Sequence, residues 1–330
     1  MDLFSHVLVA YLLTYSAVGP QPQYLAAGAL AGGLPDADIV FFPLVRRFPV
    51  LRHHGITHSL FGVTVVAVVG AFLAPLILPG AALVYFGVME LGGLAHVAQD
   101  GFTQFAVPPL LPFSGKLLHL DADRAINFVT LVVSVVSFYV LLDVERNHVS
   151  TAIYVATLWI LAAFFVAYFA VRLAGRAAIG RHREILGPQA QPVQPVPTGN
   201  PFSWLLLSEK NEGGRVRTTW ARYFLGRGIT DGPHSVEGPL EPSPHAGVPA
   251  SATEALEWSY PLARRASRIL ETTYHFGEAF QEAAGSWVAV WYSLEFTMLG
   301  RSPAVKVRFP AHGGPAEVRT AFYRPTQHAI

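Results

Sequence analysis

The chain has 330 residues, 23 Lys and Arg against 22 Asp and Glu, and no Cys. The missing Cys excludes a disulfide framework, cysteine–zinc ligation and thiol nucleophiles, and a net charge of +1 argues against a nucleic-acid module. Charge is scarce (14%) and unevenly spread: residues 1–183 hold 10 basic and 9 acidic side chains, the remaining 147 residues 13 of each, so a membrane-embedded part is expected before a soluble part.

Two short apolar pieces, Leu3 to Val18 and Tyr24 to Leu34, flank the turn Gly19-Pro-Gln-Pro-Gln23 and predict a hairpin of short helices. Four longer apolar runs follow: Thr57–Leu78, Ala81–Ala98, Ala125–Leu142 and Thr151–Val171. Each is near the length needed to cross an apolar layer of about 30 Å, which predicts a helical bundle with four transmembrane helices. Alternating the spans puts Arg46, Arg47, Arg52, Lys116, Arg124, Arg172, Arg176, Arg181 and Arg183 on one side and only Arg146 on the other. That bias makes the basic side cytoplasmic, in the inner membrane of the cell, with the N-terminus and the C-terminal domain on it.

Residues 184–201 are Pro-rich and read as a linker. Beyond them, residues 202–330 predict a small soluble α+β domain. Trp204–Leu207, Arg217–Leu225, Trp287–Phe296, Ala304–Phe309 and Glu317–Tyr323 have strand composition. Glu254–Tyr274 reads as helix interrupted at Pro261, and Thr230–Pro249 as a long loop. Trp287, Trp291 and Tyr292 offer either a partner surface or a core.

Eight of the 13 His fall in the first 183 residues, and most sit at helix ends on the basic side. His6 begins the first helix. Asp36 and Asp38 end the second; in an extended loop their side chains would point the same way. His53 and His54 precede the Thr57 run, and His58 is its second residue. His96 and Asp100, four apart, share one helix face. Taken singly, each has an ordinary explanation as a cap, a packed histidine or a solvated loop. Together on one face they point to a site for a hard or borderline divalent cation: zinc first, one or two ions, or else manganese or iron. Glu90, mid-span, is a functional candidate by its position alone. His119-Leu-Asp-Ala-Asp123 offers a further ligand or, at Asp123, a helix N-cap.

Leu34-Pro-Asp-Ala-Asp38, His53-His-Gly-Ile-Thr-His-Ser59, His96-x-x-x-Asp100 and Pro112-Phe-Ser114 resemble, in order, the motifs of the YdjM-like family of LexA-regulated, membrane-bound predicted metal-dependent hydrolases. The resemblance covers about residues 1–175. It implies that His6, Asp36, Asp38, His53, His58, His96 and Asp100 inherit the ligand roles. The family's Arg after the first His of the second motif is His54 here. The order His6, Asp36, His58, His96, Asp100 is also similar, more distantly, to zinc-dependent phospholipases C, whose later His-x-x-x-Glu pair has no counterpart.

The expected activity is hydrolysis of an ester or phosphoester, including one carried by a membrane lipid, at the cytoplasmic face. His6, Asp36, His58, His96 and Asp100 would hold metal, Asp38 or His53 would act as general base or further ligand, and Arg46, Arg47, Arg52 and His54 would hold an anionic group. The competing classes are a metal-binding transporter and a membrane scaffold with a structural metal and a partner-binding cytoplasmic domain. No nucleic-acid partner is expected.

Overall fold

Asp2 starts the first helix, its carboxylate accepting from the Ser5 amide at 2.9 Å and the Ser5 hydroxyl at 2.7 Å. In the computed structural model, which describes residues 1–44, 54–104, 106–124, 127–146, 150–180, 193–212, 215–239, 248–266, 275–293 and 302–323, this helix is α1 (Leu3–Val18). It ends at Gly19, whose φ of +71° suits glycine. Pro22 sits in the first turn of α2 (Pro22–Gly33), where its missing N–H costs nothing. A 3-10 segment, Leu34–Leu44, continues from α2. After the undescribed residues, a 3-10 turn (Ile56–His58) leads through the Ser59 cap into α3 (Leu60–Leu73). Then come α4 (Ala82–Phe102), α5 (Phe128–Arg146) and α6 (Thr151–Gly180).

Two glycines bring α1, α2 and α4 to backbone distance. A Cβ on Gly32 would lie 2.4 Å from the Ala10 Cβ, and one on Gly92 would lie 2.2 Å from the Gly28 carbonyl oxygen. This close packing sets His6 on α1, the end of α2 and His96 on α4 side by side.

The helical first half is as expected, but the four spans are not. Among the described residues one helix, α6 over Thr151–Ile179, is long and apolar enough to cross a membrane, with mean hydropathy 2.1. The Thr57–Leu78 run is divided by the Ile56–His58 turn and a 3-10 turn at Ala74–Leu76, which leaves α3 with 14 residues, about 21 Å. In α5 the apolar part is Phe128–Asp143, also short. The α4 helix has 21 residues but carries Glu90, His96, Gln99 and Asp100. Hydropathy alone runs through turns and polar residues that interrupt the helices.

The chain divides into two units, Met1–Arg176 with Pro197–Phe202, and Ala177–Val196 with Ser203–Ile330. The second unit holds two four-stranded sheets, each a meander in sequence order. The first sheet contains β1 (Gln194–Pro197), β2 (Ser203–Glu212), β3 (Arg215–Phe224) and β4 (Gly228–Pro239). The second contains β5 (His275–Gln281), β6 (Trp287–Ser293), β7 (Ser302–Phe309) and β8 (Glu317–Tyr323). Strand β1 lies inside the stretch read as linker, of which residues 184–192 fall outside the described residues. Strand β4 occupies much of the expected loop Thr230–Pro249. Its Gly- and Pro-rich sequence is accommodated by irregular register between Trp220 and Tyr223 of β3.

Helix α7 (Ala252–Ala266) runs through Pro261 without the expected break. It packs Ala255, Tyr260 and Ala263 on Trp291, Val305 and Val307. The Trp291 indole donates to Ser259 Oγ at 2.8 Å. Tyr292, on the other face of β6, joins Val288, Val290 and Ala304. Both aromatics are core residues, which removes them as a partner surface.

Candidate metal centre

The i, i+4 spacing on α4 sets His96 Nε2 3.2 Å from Asp100 Oδ2. The His96 Nδ1 donates to the Gly32 carbonyl oxygen at 2.7 Å. A carbonyl only accepts, so Nδ1 carries a proton and Nε2 is the ring nitrogen that faces the cluster. The contact depends on the close approach of α2 and α4 at Gly92.

His58 enters from the 3-10 turn before α3. Its Nε2 lies 3.4 Å from Asp100 Oδ2 and 3.5 Å from Asp36 Oδ1, which in turn lies 3.7 Å from His96 Nε2. One ligand atom from each of Asp36, His58, His96 and Asp100 therefore falls within 4.8 Å of the others. His58, His96 and Asp100 are fully buried, and Asp36 is partly exposed.

The donor set fits a divalent cation. Tetrahedral zinc with bonds of 2.0–2.1 Å places all six donor pairs about 3.4 Å apart; here four of the six separations run from 3.2 to 3.7 Å, and all fall within 4.8 Å. His96 Nε2 and Asp100 Oδ2, although buried, accept and donate no hydrogen bond. Such atoms are costly unless something else engages them. Two imidazoles and two carboxylates suit zinc, manganese or iron, and the set does not choose among them.

Burial alone would push the Asp36 carboxyl up, but the imidazoles of His58 and His96 hold it below the usual range. Burial pulls His58 down, yet Asp36 and Asp38 outweigh it and raise this imidazole to about 9.

Asp38 is not among the four. It stands on the other side of His58, with Oδ2 3.4 Å from Nδ1, and accepts from Thr57 Oγ1 at 2.7 Å. The expectation that Asp36 and Asp38 point the same way fails because the segment is 3-10, not extended. At three residues per turn, i and i+2 diverge, and the two carboxylates clasp opposite nitrogens of one ring. Asp38 thus faces the side of the His58 ring away from the cluster.

His6 also lies outside the four. Its ring stacks on His96 at 3.8 Å between centroids, so its edge reaches the other oxygen of Asp100, with Nε2 3.2 Å from Oδ1. The Met1 amino group contacts that same oxygen. His54 has φ +60° and stacks on His58 at 4.7 Å, which puts it beside the site. Arg46, Arg47, Arg52 and His53 lie outside the described residues.

A family model described as YdjM inner membrane protein matches residues 1–178, more than half of the chain. The chain belongs to the YdjM inner membrane protein family. No curated protein and no solved structure matches it. The YdjM match ends within α6, so the sheet unit lies almost wholly beyond the family region.

The YdjM region also holds a second buried polar group, which no local motif marks. Asp123 receives Asn127 Nδ2 at 2.9 Å, Tyr168 OH at 2.6 Å and Arg172 Nη2 at 3.0 Å. Arg172 also donates to the Asn200 carbonyl at 3.1 Å. Asn127, not Asp123, caps α5, accepting from the Val129 amide at 2.9 Å. The available signal was Arg172 itself, a cation in the one helix, among the described residues, that is long and apolar enough to cross a membrane. Glu90 accepts from Thr64 at 3.0 Å and ties α4 to α3. His119 pairs with Asp121 at 2.8 Å and is not in the cluster.

Proposed function

We propose that this membrane protein is a metal-dependent hydrolase of an ester or phosphoester. The observation that carries the reading is the convergence of Asp36, His58, His96 and Asp100 on one small volume, in which the buried His96 Nε2 and Asp100 Oδ2 make no hydrogen bond. Those four residues would hold the cation, which supplies a Lewis acid for a phosphoryl or carbonyl oxygen and acidifies water. Asp38 and Thr57 fix the His58 ring, and the Gly32 carbonyl fixes that of His96. His6, against Asp100 Oδ1, is positioned to hold a proton or a further ligand bond. His54, beside His58, and the arginines at 46, 47 and 52 would meet an anionic group.

The test is turnover on a panel of phosphate mono- and diesters and carboxylic esters, by protein purified in detergent. Activity should vanish on chelation and return with one of zinc, manganese or iron. Metal bound at the four residues without turnover of any ester would remove the hydrolase and leave a transport or structural site.

A further inference from the structure

One motif of the sequence has no part in the cluster. Pro112-Phe-Ser114 sits in the connection between α4 and α5, where residues 106–120 read Ala-Val-Pro-Pro-Leu-Leu-Pro-Phe-Ser-Gly-Lys-Leu-Leu-His-Leu and Lys116 and His119 alone can carry charge. A connection in water is normally polar. This one presents Phe113 at 84% exposure and Leu110, Leu117, Leu118 and Leu120 at 45–50%. Grouped apolar exposure of this kind marks an interaction surface.

The base of the segment is fixed. Val107 and Leu118 exchange both backbone hydrogen bonds, at 3.0 and 2.8 Å, and the Leu120 amide donates to the Gly101 carbonyl at 2.8 Å, one residue past Asp100. Val107 is buried against Val63 and Val97. The tip leans on α3: the Leu60 amide donates to the Pro109 carbonyl at 3.0 Å, and the Phe113 ring meets Phe61 edge-on at 6.1 Å between centroids. Phe61 begins the bare face of α3, a helix without a charged residue that exposes Val65, Val68, Val69 and Phe72. In an inner membrane protein such a face has hydrocarbon as its solvent. The turn carries that apolar surface past the start of α3, at the end of the helices where His58 and Asp100 lie. Lys116 is exposed beside Leu117, and its long stem lets the ammonium reach a lipid phosphate from an apolar footing.

We infer that residues 107–120 form a lip inserted in the membrane leaflet on the cluster side, with Leu110, Phe113 and Leu117 in the upper acyl region and Lys116 at the phosphates. The partner is the phospholipid leaflet itself. The inference needs neither metal nor turnover, so it stands or falls apart from the hydrolase reading.

The chain has no Cys, so one substitution supplies a single thiol for a nitroxide label. Phe113→Cys, Leu117→Cys and Lys116→Cys are labelled in full-length protein in nanodiscs of mixed zwitterionic and anionic phospholipid. Arg227→Cys, in the exposed turn between β3 and β4, is the aqueous reference. Collision with oxygen, which concentrates in hydrocarbon, is compared with collision with a water-soluble nickel chelate. Labels in place of Phe113 and Leu117 should meet oxygen more than nickel, the label in place of Lys116 should read shallower than both, and that in place of Arg227 should meet nickel more. Nickel dominant at Phe113 and Leu117 puts the turn in water and overturns the inference. A rigid label shielded from both reagents puts protein on this surface, another copy or the sheet unit, and also overturns it. A label deeper at Lys116 than at Phe113 reverses the insertion and contradicts it as well.

Discussion

Asp100 and Asp123 are both fully buried in the helical unit, yet their oxygens meet different partners. Asp123 is met by an amide group, a phenol and a guanidinium, and the Arg124 backbone N–H adds a fourth bond at 2.8 Å. Tyr168 meets Oδ2, and the other three groups gather at Oδ1. Asp100 Oδ2 has no donor and faces two imidazole edges and a second carboxylate. The first arrangement is complete as it stands. The second makes chemical sense when a cation joins it. Burial of a carboxylate is thus no sign of function by itself; the kind of neighbour separates a structural aspartate from a ligand.

The largest effect should come from breaking the complete cluster. Arg172→Leu leaves Asp123 buried without its cation, and thermal unfolding in detergent should show a loss of about 3–5 kcal/mol. Metal stoichiometry of the folded fraction should not change. If metal is lost at intact stability, the two regions are not separate.

Gly92→Ala attacks the packing of α4 on α2 beside the metal cluster. The new Cβ meets the Gly28 carbonyl, a backbone atom that cannot turn away. Stability should fall by about 1–3 kcal/mol, and metal affinity with it, because the Gly32 oxygen is drawn away from His96. Unchanged affinity would show that the Gly32 contact does not orient the ring.

Asp38→Ala isolates the orienting carboxylate. Metal affinity measured against a competing chelator should drop about 10–100-fold, with little change in the apparent melting temperature of metal-loaded protein. Abolition of binding would make Asp38 a direct ligand instead.

A graded effect is expected in pH. His58 is raised from about 6.5 in the unfolded chain to about 9 in the metal-free fold. Its contribution to metal-free stability is complete below pH about 6.5 and is lost as pH rises through 9. Metal binding must displace that proton, so affinity should rise by up to about tenfold per pH unit over the same window. Melting of metal-free protein and chelator competition across pH 6–9 should therefore move in opposite directions.

Much of this cluster was legible in the chain. His96 and Asp100 follow helix spacing, and Asp36 and His58 sit in short motifs whose order matches a family. The division of labour between Asp36 and Asp38 was not legible, because it depends on a 3-10 backbone where the Pro-Asp-Ala-Asp sequence also suits an extended turn. Asp123 and Arg172 meet only through tertiary packing, and no local pattern links them. The spans were over-read because hydropathy does not register the turns at Ile56–His58 and Ala74–Leu76. In the sheet unit, strands β1, β4 and β5 were missed because their Gly, Pro and charged residues hide backbone pairing that side chains do not announce.

The account stands on the four-residue metal site, and elemental analysis tests it most directly. Protein purified without added metal, alongside the His96→Ala/Asp100→Ala double variant, should carry at least one equivalent of zinc, manganese or iron in the native chain and none in the variant. Native protein free of these metals after incubation and desalting, or a variant that keeps the full equivalent, would contradict it.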